Sequence, residues 1–205
     1  MQEDTTKGGF GPFAGQLFVA DQGHSKIMRV SMEKVNGVWQ GACFPFREGF
    51  ESGILKIDWG LDGSMFVGQT SRGWGATGQN KYGIQRLVWT GDIPFEMKSI
   101  TTQSDGFEIE FTQPIDPTSL QEQGDITLTS FTYPYHHRYG GDIINREEIS
   151  IEGFNVSSDL KKLRLVVDPA KLRKGYIHEI KSAQIRSKEG NLPLLHNVGY
   201  YTLNE

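Results

Sequence analysis

The sequence predicts an all-β chain: about two propeller-type β repeats followed by an immunoglobulin-like β-sandwich. Three observations carry this. The 205 residues include 25 glycines and 11% aromatics, a balance that suits turn-rich strands better than helical bundles. The segment GQLFVADQGHSKIMRV, residues 15 to 30, returns in altered form as GSMFVGQTSRGWG onward from residue 63. From residue 97 the chain alternates apolar and polar positions in short runs separated by turn residues.

The repeat sets the organisation of the first half, residues 1–93, which holds all four tryptophans (39, 59, 74 and 89). Gly15–Asp21 aligns with Gly63–Gln69 at an offset of 48, and Ile27–Val30 aligns with Ile84–Leu87 at an offset of 57. The second copy therefore carries nine extra residues, which fall in the loop SRGWGATGQNKYG. Just before it, Ile54–Trp59 and Met65–Val67 flank Gly60-Leu-Asp-Gly63, whose Asp62-Gly63 signals a hairpin turn. A period in the forties built from short strands and glycine turns marks propeller blades, each a sheet that neighbouring sheets must cover. Roughly ninety residues supply about two blades, whereas a closed ring takes at least four. Three arrangements meet that count: the tail of a longer protein, a homo-oligomeric ring, or two repeats packed as a small sandwich or sheet. The first is the expectation.

A connector, TGDIPFEM, leads to residues 97–205. Phe107, Ile109 and Phe111 share one face of a strand, and further strands are expected at 126–129, 149–151, 163–167, 176–180 and 200–203. Short helical turns at Asp116–Leu120 and Pro169–Leu172 complete a sandwich pattern.

Charge and cysteine usage exclude several classes. A net charge of -4 and a pI near 5.8 give no basic footprint for nucleic acid or an anionic membrane. KLRK at 171–174 reads as a turn or strand end. No apolar run reaches the ~18 residues of a membrane span, and the first residues lack the order of a signal peptide, so either the protein stays inside or its export signal lies outside this chain. The single Cys43, between apolar neighbours in GACFPF, excludes an internal disulfide and reads as an inert thiol.

Two clusters suit ligand chemistry. Arg72 and Trp74, between glycines of the nine-residue insertion, fit sugar recognition: an indole stacks on a pyranose and a guanidinium holds its hydroxyls. The same loop also suits Trp74 as a cap on a neighbouring sheet. Tyr133, Tyr135, His136, His137, Arg138 and Tyr139 form an aromatic and basic run fit for sugar, for docking, or for a packed corner. His136 and His137 with Asp142 and His178 or His196 lack metal-ligand spacing, so no metal site is assigned. Asp58, Asp62, Glu108, Glu147 and Glu148 are carboxylates that sequence cannot pair into a glycosidase site, and Asp58 and Asp62 read as turn residues.

FTQPIDPTSL, SSDLKKLRLVVDPAKLRKGYIHEI and IRSKEGNLPL resemble bacterial Ig-like domains over residues 97–205. ADQGHSKIMRV, GACFPFREGFESGILKIDWGLDGSMFVGQTSRGWG and YGIQRLVWTGDIPFEM resemble the last blades of quinoprotein (PQQ-dependent) sugar or sorbosone dehydrogenases. The resemblance implies a periplasmic or secreted protein, with PQQ and Ca²⁺ belonging to a full-length relative and no cofactor in this chain. The earlier blades that supply the catalytic histidine of that family have no counterpart here, and Cys-x-x-Cys-His does not occur. Arg72 or Lys81 could serve as cations for a quinone's carboxylates, the alternative being rim residues of a solvated loop. The expected function is thus a non-catalytic structural or carbohydrate-binding C-terminal part of such a protein, its partners being carbohydrate or the missing blades. The alternative is a carbohydrate-active enzyme, a glycoside hydrolase or sugar oxidoreductase, with a site between the two halves.

Overall fold

The computed structural model describes residues 1–120, 124–138 and 140–205. Strands make up 48% of the chain and helix 3%, in antiparallel sheets of which none is closed among the described residues. The chain divides into two compact units, Met1–Ser31 with Cys43–Ile93, and Met32–Ala42 with Pro94–Glu205.

In the first unit, β1 (Gln2–Glu3), β2 (Leu17–Asp21), β3 (Lys26–Val35) and β4 (Val38–Arg47) lie side by side in chain order, as do β5 (Ile54–Trp59), β6 (Met65–Thr70) and β7 (Tyr82–Leu87). The Asp62-Gly63 signal is realised: Gly60 N–H donates to the Ser64 carbonyl (2.8 Å), and Gly63 adopts φ +79°, which costs a glycine nothing. The hairpin between β3 and β4 turns on Asn36-Gly37 at φ +47° and +86°, the pairing a two-residue turn with left-handed φ at both positions prefers. Its two strands are ten residues each, and their tip, residues 32–42, belongs to the second unit.

The two meanders of the first unit pack against one another through a single core. Phe18 and Ile27 from the first meet Ile54, Ile57, Met65 and Val67 from the second, with Phe10 and Phe13 of the opening loop beside them. Aromatic edges lock the contact: Phe18 and Phe10 meet the Trp59 ring at 5.7 and 5.0 Å, and Phe18 meets Phe46 at 4.8 Å. Fully buried within this core is a charge, Arg29, whose guanidinium lies between the rings of Phe13 (4.1 Å) and Phe44 (4.2 Å) and donates to Gln16 Oε1 (2.9 Å).

The second unit is a β-sandwich. One sheet places β15 (Val198–Leu203) next to β4, followed by β14 (Tyr176–Lys181), β10 (Thr127–Thr132) and β11 (Ile144–Glu148). The other runs β12 (Ile151–Val156), β13 (Lys162–Val167), β9 (Gly106–Phe111) and β8 (Met97–Gln103). Phe107 joins the layers, its ring 5.3 Å from His178 and 5.2 Å from Tyr201 of the facing sheet. The predicted alternation at 107–111 holds, with Phe107, Ile109 and Phe111 all buried. Short 3-10 turns occur at Pro117–Ser119 and Pro169–Lys171, capped by the Asp116 and Asp168 carboxylates.

One strand reading needs correction. Residues 149–151 are not a single strand: β11 ends at Glu148 and β12 begins at Ile151, in the opposite sheet. The buried Ile149 marks the crossover, so its apolar character reflects the core at a corner and not an alternating strand face.

Candidate functional site

The inserted loop of the second repeat leaves β6 and returns to β7, and its base is closed by Ser71 N–H donating to the Lys81 carbonyl (2.9 Å). Backbone contacts then pin it to the rest of the first unit. Thr77 N–H donates to the Gly23 carbonyl (2.9 Å), Gly78 N–H to Ser25 Oγ (2.9 Å), and Asn80 N–H to the Glu51 carbonyl (2.9 Å). Gly78 is required by this docking, because a Cβ there would sit 2.4 Å from the Glu51 carbonyl carbon and 2.5 Å from the Phe50 oxygen. A glycine-rich loop of this length is ordinarily mobile; these bonds fix its path.

Trp74 stands on the pinned loop with 54% of its surface exposed, its indole nitrogen 4.0 Å from the point a Cβ on Gly23 would occupy. The indole nitrogen therefore lies close to the β2–β3 turn. In that turn Asp21 accepts from the His24 backbone N–H (3.0 Å) and lies 2.9 Å from the His24 Nδ1. Burial works to raise the Asp21 carboxyl, but the His24 backbone N–H, its ring and Lys26 outweigh it and hold the group below its ordinary value. Arg72 is exposed on the same loop, its backbone N–H held by Thr70 Oγ1 (3.0 Å). Glu51 Oε2 accepts from the Asn80 amide (3.3 Å), and behind it Ser52 N–H, Gln69 and Gln85 form a chain of bonds of 2.8 and 2.7 Å. Indole, guanidinium, imidazole, amide and carboxylate thus share one end of the first unit.

The second cluster lies in the β10–β11 connection of the second unit. Tyr133 is half-exposed with its ring edge-on to Phe131 (5.8 Å), and Tyr135, His136, His137 and Arg138 are exposed. His136 Nδ1 accepts from the Arg138 backbone N–H (3.2 Å), which ties one imidazole into a local turn. Tyr139 lies outside the described residues. Among the described residues no three His, Cys, Asp or Glu side chains gather as metal ligands. His178 is instead enclosed in the sandwich core, and His196 Nδ1 lies 2.7 Å from the buried Glu96 carboxylate.

Comparison with known proteins returns no match. Neither family models, nor curated proteins, nor solved structures match this chain.

The remaining candidates are placed in ordinary structural contacts. Asp62 takes the Ser64 hydroxyl and backbone N–H, as its turn position predicts, and pairs with Arg86; these bonds, the hydroxyl first, hold its carboxyl low. Asp58 accepts from the Trp59 N–H (3.0 Å) within β5. Glu108 pairs with Lys162 (2.8 Å), and Glu147 with Lys171 (3.0 Å) and Arg173 (3.6 Å). Cys43 is partly buried, and burial pushes its thiol up despite Arg29 and Lys26. A concavity of about 500 Å³ lies in the second unit among Leu120, Ile126, Leu128, Ile149 and Phe154. Sequence reasoning missed Arg29, the Glu96–His196 pair, and Glu33, which accepts from the Tyr201 hydroxyl and the Thr102 N–H (2.7 Å). The pairs span 100 and 168 residues, and no local pattern marks them.

Proposed function

We propose that this chain is a non-catalytic, carbohydrate-binding part of an exported protein of the quinoprotein sugar dehydrogenase type. In this reading its two meanders are propeller blades and its second unit is an immunoglobulin-like module. The observation that carries the binding role is the half-exposed Trp74 on a loop whose path is set by bonds to Gly23, Ser25 and Glu51. A fixed indole offers a flat apolar face to a pyranose ring without an ordering cost on binding. Arg72, His24 and Asn80 supply donors around it, and Asp21 and Glu51 supply acceptors, which is the polar complement a polyol needs. In this reading PQQ and Ca²⁺ belong to a full-length relative, and no step is routed through them here.

Calorimetric titration of the full chain with a panel of oligo- and polysaccharides tests the proposal. At least one sugar should bind, with affinity falling at least tenfold in Trp74→Ala and less in Arg72→Ala. No binding across the panel overturns it. Binding that survives Trp74→Ala but disappears in Tyr135→Ala moves the site to the β10–β11 connection and also overturns it.

A further inference from the structure

The two copies of the repeat are the same object in backbone register. In the first, Phe18 is opposite Arg29 and Ala20 opposite Ile27; in the second, Phe66 is opposite Arg86 and Gly68 opposite Ile84. These are the residues the two alignments equate. The likeness extends to the polar bonds: Arg29 donates to Gln16, and Arg86 donates through Nε to Ser64 (2.9 Å), the residue aligned with Gln16. Each arginine also lies over a phenylalanine ring, Arg29 over Phe13 and Phe44 and Arg86 over Phe66 (5.7 Å).

Their surroundings differ. The face bearing Phe18, Ile27 and Arg29 is covered by the second meander and the opening loop, leaving these residues 0%, 1% and 0% exposed. The equivalent face of the second copy is open: Phe66 is 42% exposed, Ile84 79%, and the Arg86 side chain 48%. Leu55 and Tyr82 extend the patch, and Gly68, lacking a side chain, leaves a shallow groove between them. An apolar sheet face of this kind, rimmed by charge, marks an interaction surface.

We infer that this face, centred on Phe66, Gly68 and Ile84, is a docking site for a further antiparallel sheet presenting an aliphatic row, carried on polypeptide additional to these 205 residues. The occupant's chemistry is given by what covers the first copy: Ile54, Ile57, Met65 and Val67, the branched and flexible side chains of β5 and β6. A second copy of the chain does not supply it, because its own aliphatic row is already consumed in its core. Two open faces meeting symmetrically are also too small. Three strands of six residues span about 300 Å² at ordinary strand spacings, against about 800 Å² per partner for a stable interface between separate chains, so the covering sheet is one joined covalently to this one. The inference deepens the blade reading above, resting on the repeat, and is independent of what Trp74 binds.

The probe is a chain in which residues 48–93 are duplicated directly after Ile93, so that a third meander is available to cover the second. With Cys43 replaced by Ser, a reporter thiol at Ile84→Cys of the original copy is labelled with iodoacetamide, in the duplicated and the original-length chains. Labelling should slow at least tenfold in the duplicated chain, and the added repeat should resist limited proteolysis. Introducing Phe66→Glu into the original copy should abolish that resistance. Equal labelling in both chains, whether the added repeat is folded or not, overturns the inference. So does concentration-dependent protection of the thiol in the original-length chain with a dimer in sedimentation, which would assign the face to self-pairing. Loss of sugar binding in Trp74→Ala with unchanged thiol protection separates the two proposals.

Discussion

His178 is opposite Ser130 on one side and Tyr201 on the other, with the Phe107 ring at 5.3 Å, and none of its surface is exposed. Neither ring nitrogen makes a well-formed hydrogen bond among the described residues, and the approach of the Tyr176 backbone only partly offsets the cost of burial. Burial, with a contribution from Arg173, lowers its pKa from 6.5 to about 4. In the unfolded chain the ring takes up a proton near pH 6.5, while in the folded chain it stays neutral until about pH 4. The contribution to stability is therefore complete above pH 6.5 and lost as the pH falls from there toward 4. At about 1.4 kcal/mol per tenfold difference in proton affinity, the loss amounts to about 3 kcal/mol. Urea denaturation of the wild-type chain and of His178→Leu, at steps from pH 7.5 to pH 4, isolates this effect from the titration of carboxylates common to both. The stability difference between them should shift by about 3 kcal/mol against the wild type across that range. If it stays within about 0.5 kcal/mol, the imidazole is not protonated on unfolding as argued, and the burial argument fails.

Two other consequences can be checked. Arg29→Ala removes the guanidinium from between Phe13 and Phe44 and the donor from Gln16, and should cost about 3–5 kcal/mol in chemical denaturation. Arg29→Met, which refills the space, should recover at least half of that loss. Gly78→Ala forces the inserted loop off the backbone of residues 50 and 51. It should weaken sugar binding at least as much as Trp74→Ala, with the near-ultraviolet signal of the core unchanged; undiminished binding would show that the loop's anchoring is irrelevant to recognition.

Much of the strand framework was written in local pattern. Phe107, Ile109 and Phe111 alternate because one face of β9 meets the sandwich core, and Asp62-Gly63 needs only its own backbone geometry to turn. The repeat was legible because equivalent strands keep the same register. What local pattern did not reveal depends on neighbours distant in sequence. β8, MKSITTQ, buries only Met97 and Ile100 among the polar Lys98, Ser99 and Thr101, so alternation hardly shows. Ile149 is apolar because the chain turns a corner there, not because a strand passes. The long hairpin did carry a signal, Asn36-Gly37, but its length depends on what pairs with each strand. At the site, the glycines and the nine-residue insertion pointed to the Trp74 loop. That Gly23, Ser25 and Glu51 receive it is a tertiary fact, as is a buried arginine, whose residue type ordinarily belongs to the surface.

The inserted loop takes two of its three anchors through the carbonyl oxygens of Gly23 and Glu51, groups that every residue type possesses. Its tip, residues 72–76, contributes none of those three bonds. Anchor and tip are therefore separable under mutation: side chains at 72, 74 and 76 can be exchanged while Thr77, Gly78 and Asn80 hold the frame. Such an arrangement lets one scaffold be retuned among ligands by a few substitutions, and makes this loop the natural place to randomise in a selection for new binding specificities.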